Sequence, residues 1–449
     1  MLKKIIFLAL ILGIKNLAAQ TITIEFPAFA GKTYDFIIFQ GDAQVKVAEN
    51  DTIPTNGIIE IKIPKQYAPY TGMCRWLLTN SQTGGGLDMA IPGHGFRVSC
   101  LSDKPNENNI VWHDYDAMNE LNRLNVLQQK IIDKFETMSK ALELYDATHP
   151  IYASLQQEVA TQKQAYSQFQ QDLKNNTNYN ARFLPIVNLT KGISDKLSNN
   201  YEEKAKSFSA YITNELNFEQ LYTSGHWGGI IQSWAQMQAQ LFQNKEIFVN
   251  DFKTISTRID NPKIYTDFVG KVTYYLTQYG KDDYIDDIAS TVVLSGKITS
   301  YEGNTMQVYV KAKIGNQAPD LIITDSKSKT SVLKSKNFAK KGFEKTLLIF
   351  FESGCGYCEA LLTQLAPQYE TLQKRGIDII ALSSDRTEEV FKFTAKKFPW
   401  KRSYCDYQGL SGINFKNYAV IGTPYIFLID ASGKIEKRLS TYDEIMQVK

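Results

Sequence analysis

An apolar segment that runs directly into a pair of cysteines constrains the fold of this chain more than any other feature. Residues 346–351 (Thr-Leu-Leu-Ile-Phe-Phe) are typical of a buried strand, and a helical pattern opens at Cys355 and Cys358. At the first turn of a helix, unpaired backbone N–H groups and the positive end of the helix dipole favour a thiolate. The spacing therefore predicts an acidified, exposed Cys355 and a shielded Cys358 one turn further on. This is the layout of a dithiol redox site.

Two other uses of the cysteine pair were weighed against redox chemistry. A zinc site usually needs four ligands, and the four histidines of the chain lie far from the pair at no ligand spacing, so no metal is expected. A passive disulfide between Cys355 and Cys358 would close a loop too short to constrain the unfolded chain much. We therefore favour a redox-active Cys355–Cys358 disulfide that needs no cofactor.

The C-terminal region, from about residue 314 to residue 449, resembles the thioredoxin superfamily and specifically its exported TlpA/ResA-like branch. It opens with Gly-Asn-Gln-Ala-Pro-Asp-Leu at 315–321, the G-x-x-A-P-D start of that branch. The cysteine pair follows, then an apolar strand at 377–383, and finally a strand and turn within 420–434. The resemblance implies a thioredoxin-like α/β domain over residues 313–449.

The resemblance also implies a place for substrate. In the family, the proline that matches Pro424 is cis and abuts the dithiol, and the residue before it pairs its backbone with the bound peptide. Thr423 and Pro424 are accordingly expected to dock substrate, together with Gly356 and Tyr357 between the cysteines. A proline at the start of a strand can also be only a strand-edge marker.

Some features depart from the family pattern. Gly354 stands where the family usually has tryptophan, so we expect a more open thiol. The family's two positions for a buried acid hold Leu361 and Ile349 here. Glu352 and Glu359 are nearby acids and candidates for proton transfer, although solvation at the surface is the alternative role for each.

The direction of electron flow stays open. The TlpA/ResA-like branch implies reduction of disulfides in proteins, with protein thiols and disulfides as substrates and a membrane redox partner as electron donor. The Gly-Tyr dipeptide and the threonine before the proline are similar to those of the periplasmic disulfide isomerase DsbC. Isomerase or oxidant activity is therefore the alternative. Peroxidase activity is not expected, because Cys355 lacks the P-x-x-x-T-x-x-C frame of peroxiredoxins.

The N-terminus has the three parts of a secretory signal. Lys3 and Lys4 precede an apolar run at 5–14, and small residues lead to a predicted cleavage site after Ala19. No cysteine follows that site, so a lipid anchor is not expected, and the run is too short to span a bilayer comfortably. Without residues 1–19, 47 basic side chains face 47 acidic ones, which gives no reason to expect nucleic acid as a partner. We expect a periplasmic protein.

Residues 20–110 are predicted to form an antiparallel β-sandwich. The segments 21–26 and 58–63 alternate apolar and polar residues with period two, and glycine-containing turns separate the strands. Cys74 and Cys100 fall on predicted strands. In an oxidising compartment they are candidates for a structural disulfide, and the alternative is two buried thiols.

Residues 111–312 are predicted to form an all-α region. Apolar residues recur at steps of three and four from Leu124 to Tyr145, residues 146–150 break the pattern, and a second stripe runs from Leu155 to Leu173. The two stripes predict an antiparallel helical hairpin whose apolar face is core or a dimerisation surface. Homodimerisation is therefore a candidate property of the chain.

Cys405, the fifth cysteine, lies inside the thioredoxin-like region. Either it is an extra redox thiol or, as we favour, an inert and partly buried residue. The hypothesis from a different class is a scaffold protein whose thioredoxin-like unit is vestigial and whose N-terminal two-thirds capture a partner. Cys355, Cys358 and Pro424 argue against it, because packing alone does not require all three.

Overall fold

A computed structural model describes residues 20–81, 84–113, 115, 117–300, 306–324 and 330–448. The predicted signal segment, residues 1–19, lies outside the described residues. The chain divides into two compact units, Met1–Trp234 and Ala235–Lys449. The domain boundaries at 110 and 312 stay a prediction. Within the described part of the chain, no helix combines the length and the apolar character that a membrane span requires.

The first unit begins with two four-stranded sheets. Their orders are β4-β1-β7-β8 and β3-β2-β5-β6, and every pairing is antiparallel except the parallel pair β1 and β7. The strands are β1 Thr21–Glu25, β2 Thr33–Gln40, β3 Ala43–Thr52, β4 Ile58–Lys62, β5 Thr71–Thr79, β6 Gly86–Pro92, β7 Phe96–Ser99 and β8 Val111–His113. The predicted β-sandwich is confirmed, with one parallel pair that the alternation did not indicate.

The sandwich core comes from the inward positions of both sheets. Ile22 and Ile24 on β1 alternate with partly exposed neighbours, as a strand with one buried face requires. Trp76 of β5 packs edge-on against Phe26, with ring centroids 5.2 Å apart. Truncating such a buried aromatic side chain typically costs about 3–5 kcal/mol. The sandwich therefore has an apolar core of its own.

Six helices follow in the first unit, the last of which crosses the boundary between the units. They are α1 Ala117–Leu144, α2 Tyr152–Asn175, α3 Tyr179–Thr190, α4 Tyr201–Asn214, α5 Phe218–Tyr222 and α6 Trp227–Gln236. The predicted hairpin is α1 with α2, and Leu124 packs in one cluster with Phe169 and Leu173. Leu127, which the apolar stripe included, is instead 44% exposed. Gln128 takes the inward position, because its amide exchanges two hydrogen bonds with buried Asn188.

The second unit combines four helices with an α/β fold. The helices before the sheet are α7 Lys245–Arg258, α8 Pro262–Gln278, α9 Asp282–Ser295 and α10 Met306–Lys311. The strands are β9 Leu321–Thr324, β10 Thr330–Leu333, β11 Lys345–Phe351, β12 Ile377–Ser383, β13 Ser403–Cys405, β14 Tyr425–Asp430 and β15 Ile435–Leu439. The later helices are α11 Gly356–Leu365, α12 Tyr369–Lys374, α13 Glu388–Ala395, α14 Ile413–Tyr418 and α15 Tyr442–Met446.

A five-stranded sheet of order β13-β12-β11-β14-β15 is the centre of the second unit. β11, β12 and β13 run parallel, β14 pairs antiparallel with β11, and the edge strand β15 pairs antiparallel with β14. Strand β11 is buried on both faces, as its continuous apolar sequence predicts. The carboxyl end of β11 is joined to α11 by a short turn, residues 352–355. The sheet therefore holds the cysteine pair at the edge where parallel strands of α/β folds commonly carry function.

Candidate active site

Cys355 caps the N-terminus of α11. Its Sγ accepts a hydrogen bond of 3.4 Å from the backbone N–H of Cys358, which is one of the N–H groups that a helix start leaves unpaired. Cys355 is partly exposed, whereas Cys358 is 0% exposed and lies in the core cluster under the helix. The helix start therefore presents one thiol to solvent and buries the other, as the spacing predicts.

The pKa values of the two thiols move in opposite directions. Burial alone would raise the pKa of Cys355, but hydrogen bonds from the Cys358 thiol, from two backbone N–H groups of the first turn and from Thr423 together lower it below its usual value. Burial, followed by the hydrogen bond to Cys355, raises the pKa of Cys358 to about 11. Cys355 therefore deprotonates at lower pH than Cys358 does.

The segment before β14 lies against the nucleophile. The Thr423–Pro424 peptide bond is cis. Cys355 Sγ lies 3.8 Å from the Thr423 carbonyl oxygen, to which its thiol donates. Tyr357, between the cysteines, is 85% exposed, and Gly356 beside it is also exposed. Of the four residues expected to dock substrate, Thr423 thus lies against Cys355 with Pro424 next to it in the chain, whereas Gly356 and Tyr357 face solvent. Their docking role stays a prediction.

Glu352 and Glu359 are both exposed. The Glu359 carboxylate accepts a hydrogen bond of 3.3 Å from the Gly354 backbone N–H, and the Glu352 carbonyl accepts one of 3.4 Å from the Cys355 N–H. These contacts stabilise the turn before the helix. The proton-transfer role proposed for the two carboxyl groups stays a prediction.

A buried carboxylate that was not among the predicted site residues lies beside the site. Asp385 follows β12 and is 5% exposed. Its two carboxylate oxygens accept from the backbone N–H and the hydroxyl of Ser353, at 3.0 and 2.7 Å. A signal for it was available, because the carboxyl ends of the adjacent parallel strands β11 and β12 share one edge of the sheet and the polar run 383–385 follows β12 there.

The other three cysteines are free thiols. Cys405 is 8% exposed and its thiol donates to the Asp385 carbonyl at 3.3 Å, and burial raises its pKa to about 11. Cys74 is fully buried, and Cys100 Sγ donates to Asn109 Oδ1 at 3.4 Å. Neither is paired in this structure, so the candidate disulfide between Cys74 and Cys100 stays a prediction.

Within the part of the chain that the structure describes, no three histidine, cysteine, aspartate or glutamate side chains come together as a metal-binding group.

Comparison with known proteins agrees with this geometry. The AhpC/TSA family matches residues 314–438. The thiol-disulfide oxidoreductase ResA of Bacillus cereus is 32% identical over 146 residues, which are 32% of this chain and 80% of that protein. This chain belongs to the ResA-like thiol-disulfide oxidoreductases. ResA of Bacillus thuringiensis subsp. konkukian is 33% identical over 125 residues, 28% of this chain and 68% of that protein.

The AhpC/TSA match at 314–438 lies in the α/β portion of the second unit, which carries the thioredoxin-like fold. The resemblance to the TlpA/ResA-like branch is thereby confirmed, as is the multidomain fold class with its β, helical and α/β parts. The chain is an enzyme of the thiol–disulfide oxidoreductase class.

Solved structures are similar to parts of the chain. A thiol:disulfide interchange protein from Bacteroides sp. is 25% identical, covers 30% of this chain and 86% of its own, and has a TM-score of 0.26. A thioredoxin-like protein from Bacteroides caccae is 14% identical, covers 55% of this chain and 92% of its own, and has a TM-score of 0.36.

Proposed function

We propose that this chain is an exported enzyme that reduces disulfides in proteins through Cys355 and Cys358. The proposal rests on the difference in exposure and in pKa between the two thiols. Cys355 is partly exposed and its pKa is lowered, whereas Cys358 is buried and its pKa is raised to about 11. A reductant needs an accessible thiolate to attack and a protected thiol to resolve, and these positions supply one of each.

In the first step, the Cys355 thiolate attacks one sulfur of a substrate disulfide. A new bond forms between Cys355 and that sulfur, the substrate S–S bond breaks, and the other substrate sulfur leaves as a thiolate that takes a proton from solvent. The product is a mixed disulfide at the start of α11. The backbone N–H groups that stabilised the thiolate no longer face a charge.

In the second step, Cys358 resolves the mixed disulfide. Its thiol gives its proton to solvent and its sulfur attacks Cys355 Sγ, the bond to substrate breaks, and the second substrate sulfur leaves as a thiolate that takes a proton from solvent. Two electrons have passed to the substrate, and Cys355 and Cys358 are joined. An external dithiol must then reduce that disulfide, and we propose a membrane-bound partner for an exported protein.

The docking segment supports a protein substrate. The Thr423 carbonyl lies 3.8 Å from Cys355 Sγ, so a peptide paired with this backbone would bring its own sulfur to the nucleophile. Exposed Tyr357, two residues after Cys355, offers an apolar surface to a bound polypeptide. We propose that Thr423, Pro424, Gly356 and Tyr357 bind the polypeptide around the target disulfide.

Isomerisation is the second candidate function. Gly354 is exposed with nothing within 4 Å of the position a Cβ would occupy, which leaves Cys355 open to large or misfolded partners. An isomerase would use Cys355 to attack and then release the substrate without the resolving step by Cys358.

The reduction potential of the dithiol separates these functions. The potential is measured by equilibration against glutathione, with Cys355→Ser as the control. A reductant should have a reduction potential of about −270 mV. An oxidant, or an isomerase kept reduced by a partner, should have one of about −120 mV. The Cys358→Ser variant should trap substrate as a mixed disulfide. Absence of a reversible dithiol couple would contradict the proposal.

A further inference from the structure

A partly buried polar cluster lies on the face of the sheet opposite the dithiol. Ile426 and Leu428 of β14 point into the core that contains Cys358. Tyr425 therefore points to the other face, since successive side chains of a strand alternate. There its ring lies 5.1 Å from that of Phe427.

Two helices that precede the sheet reach this face. Asp282 and Asp286 belong to α9, and Tyr309 belongs to α10. The Tyr309 hydroxyl donates to the Asp282 carboxylate. Tyr309 also hydrogen-bonds the hydroxyl of Tyr425, so a tyrosine pair joins α10 to the first residue of β14. Tyr309 is 2% exposed.

Arg438 of β15 completes the cluster. Its guanidinium lies 4.1 Å from the centre of the Tyr309 ring, binds the Asp286 carboxylate at 2.5 Å and donates to the Ala312 carbonyl at 3.0 Å. The Arg438 side chain is 6% exposed. Removing one partner of a buried charge is costly, so such a cluster keeps its members in one arrangement.

The cluster is connected to the nucleophile through three consecutive residues. Tyr425 follows Pro424 directly, and the residue before that, Thr423, touches Cys355. A contact path therefore leads from Tyr309 through Tyr425 and along the backbone to the sulfur. Tyr309 thus bonds the first residue of β14 on the face opposite the dithiol, while Thr423 faces the thiol.

We propose that Tyr309 and Asp282 are positioning residues that hold the Thr423–Pro424 segment in register with Cys355 for docking of a protein substrate. Both residues precede 314–438, the segment that the AhpC/TSA family matches. The inference deepens the proposed function and rests on it for the docking role of Thr423. Helices α9 and α10 thereby become part of the redox unit.

The alternative is that the cluster only stabilises the fold. The two roles differ in what a conservative substitution changes. A purely structural bond lowers stability and affects every substrate alike. A positioning bond changes the docking of a polypeptide more than the reaction with a small disulfide, which needs only the thiolate.

The first measurement is steady-state kinetics on the full chain with insulin and with glutathione disulfide. Tyr309→Phe and Asp282→Asn should raise KM for insulin about tenfold, because small misplacements of a binding segment can cost up to about a hundredfold. Glutathione disulfide should react within about twofold of the wild-type rate. Equal losses on both substrates would overturn the inference.

Tyr369→Phe is the matched control. The Tyr369 hydroxyl donates to Asp378 at 2.9 Å, so this variant also removes a tyrosine–aspartate hydrogen bond from the second unit. It should lower stability and leave the ratio of the two activities unchanged. A change of that ratio in Tyr369→Phe as large as in Tyr309→Phe would also overturn the inference.

Hydrogen exchange gives a readout that does not depend on activity. Amides of 420–425 in the full chain should exchange faster in Tyr309→Phe than in the wild type or in Tyr369→Phe. Unchanged exchange would refute the positioning role. If Tyr309→Phe speeds exchange but the wild-type chain reduces no protein disulfide, the proposed function is refuted while the anchoring of this segment stands.

Discussion

Ser353 and Asp385 are joined by two hydrogen bonds at the edge of the sheet, one from the serine backbone N–H at 3.0 Å and one from its hydroxyl at 2.7 Å. Cys355 follows Ser353 two positions later in the chain. Because Asp385 is 5% exposed, its carboxylate is fixed by its surroundings and in turn fixes the turn that leads into α11. The nucleophile is therefore positioned from the neighbouring strand as well as by its own helix.

Removal of the Asp385 carboxylate should loosen this turn. Asp385→Ala leaves the Ser353 N–H and hydroxyl without their partner, which should cost about 1–3 kcal/mol of stability. It should also slow alkylation of Cys355 at neutral pH, because the first-turn N–H groups no longer hold the thiolate as well. Asp385→Asn keeps an acceptor and should restore most of both properties. Denaturant unfolding and iodoacetamide kinetics measure the two effects.

Asp378 provides the control for this prediction. It lies on the same strand, β12, is 1% exposed and accepts from Arg402 at 2.8 Å. Asp378→Asn should lower stability without slowing alkylation of Cys355. Equal slowing in Asp378→Asn and Asp385→Ala would show that loss of stability alone explains the effect.

Alkylation of the two site cysteines should separate with pH. A thiol reacts as the thiolate, so its rate rises as the pH passes its pKa. The pKa of Cys355 is lowered, so its rate should reach a plateau below the pH at which an ordinary thiol does. Cys358, with a pKa of about 11, should stay unreactive until strongly alkaline pH. Mass spectrometry of alkylated peptides across a pH series measures both curves.

Cys358→Ala tests the cause of the lowered pKa. It removes the thiol hydrogen bond to Cys355 but keeps the backbone N–H groups of α11. The Cys355 curve should move to higher pH while staying below that of an ordinary thiol. An unchanged curve would mean that the helix start alone lowers the pKa of Cys355.

Cys405 should be inert in the folded chain. Its thiol is buried and its pKa is raised to about 11, so it should react only after unfolding. Cys405→Ala should leave the reduction potential of the dithiol unchanged and cost roughly 1 kcal/mol of stability through the lost contacts. Alkylation of native Cys405 as fast as Cys355 would contradict this and assign it a redox role.

Gly354 should be required for its backbone conformation. Its φ is +78°, a region that residues with a Cβ disfavour by about 1–2 kcal/mol. Gly354→Ala should therefore destabilise the chain by about that amount, although no atom lies within 4 Å of the added Cβ. Gly356→Ala is the matched control for stability. Gly356 is the first residue of α11 with no positive φ, and no atom lies within 4 Å of its added Cβ either. Thermal unfolding measures the stability of both variants, and equal losses would contradict a requirement for glycine at position 354.

Local sequence patterns were sufficient to predict a strand or helix whose position does not depend on contacts with other elements. Strand β12 spans Ile377–Ser383, the same residues that the sequence predicts, because a short, mainly apolar segment rich in isoleucine favours a buried strand. The helix breaks at 145–151, as residues 146–150 predict. Leu127 shows the limit, since its exposure depends on how Gln128 pairs with Asn188 from another helix.

By itself, the sequence determined the class of chemistry and the fold that carries it. Two cysteines three apart at a helix start after a buried strand place one thiol outward and one inward, which is a local consequence of helix geometry. The tertiary structure alone decided which distant residues meet that site. Asp385 and Ser353 are 32 positions apart, and Tyr309 and Arg438 are further apart still. Such contacts follow from sheet order and side-chain packing, because periodicity along the chain records which face of an element is buried but not which partner covers it.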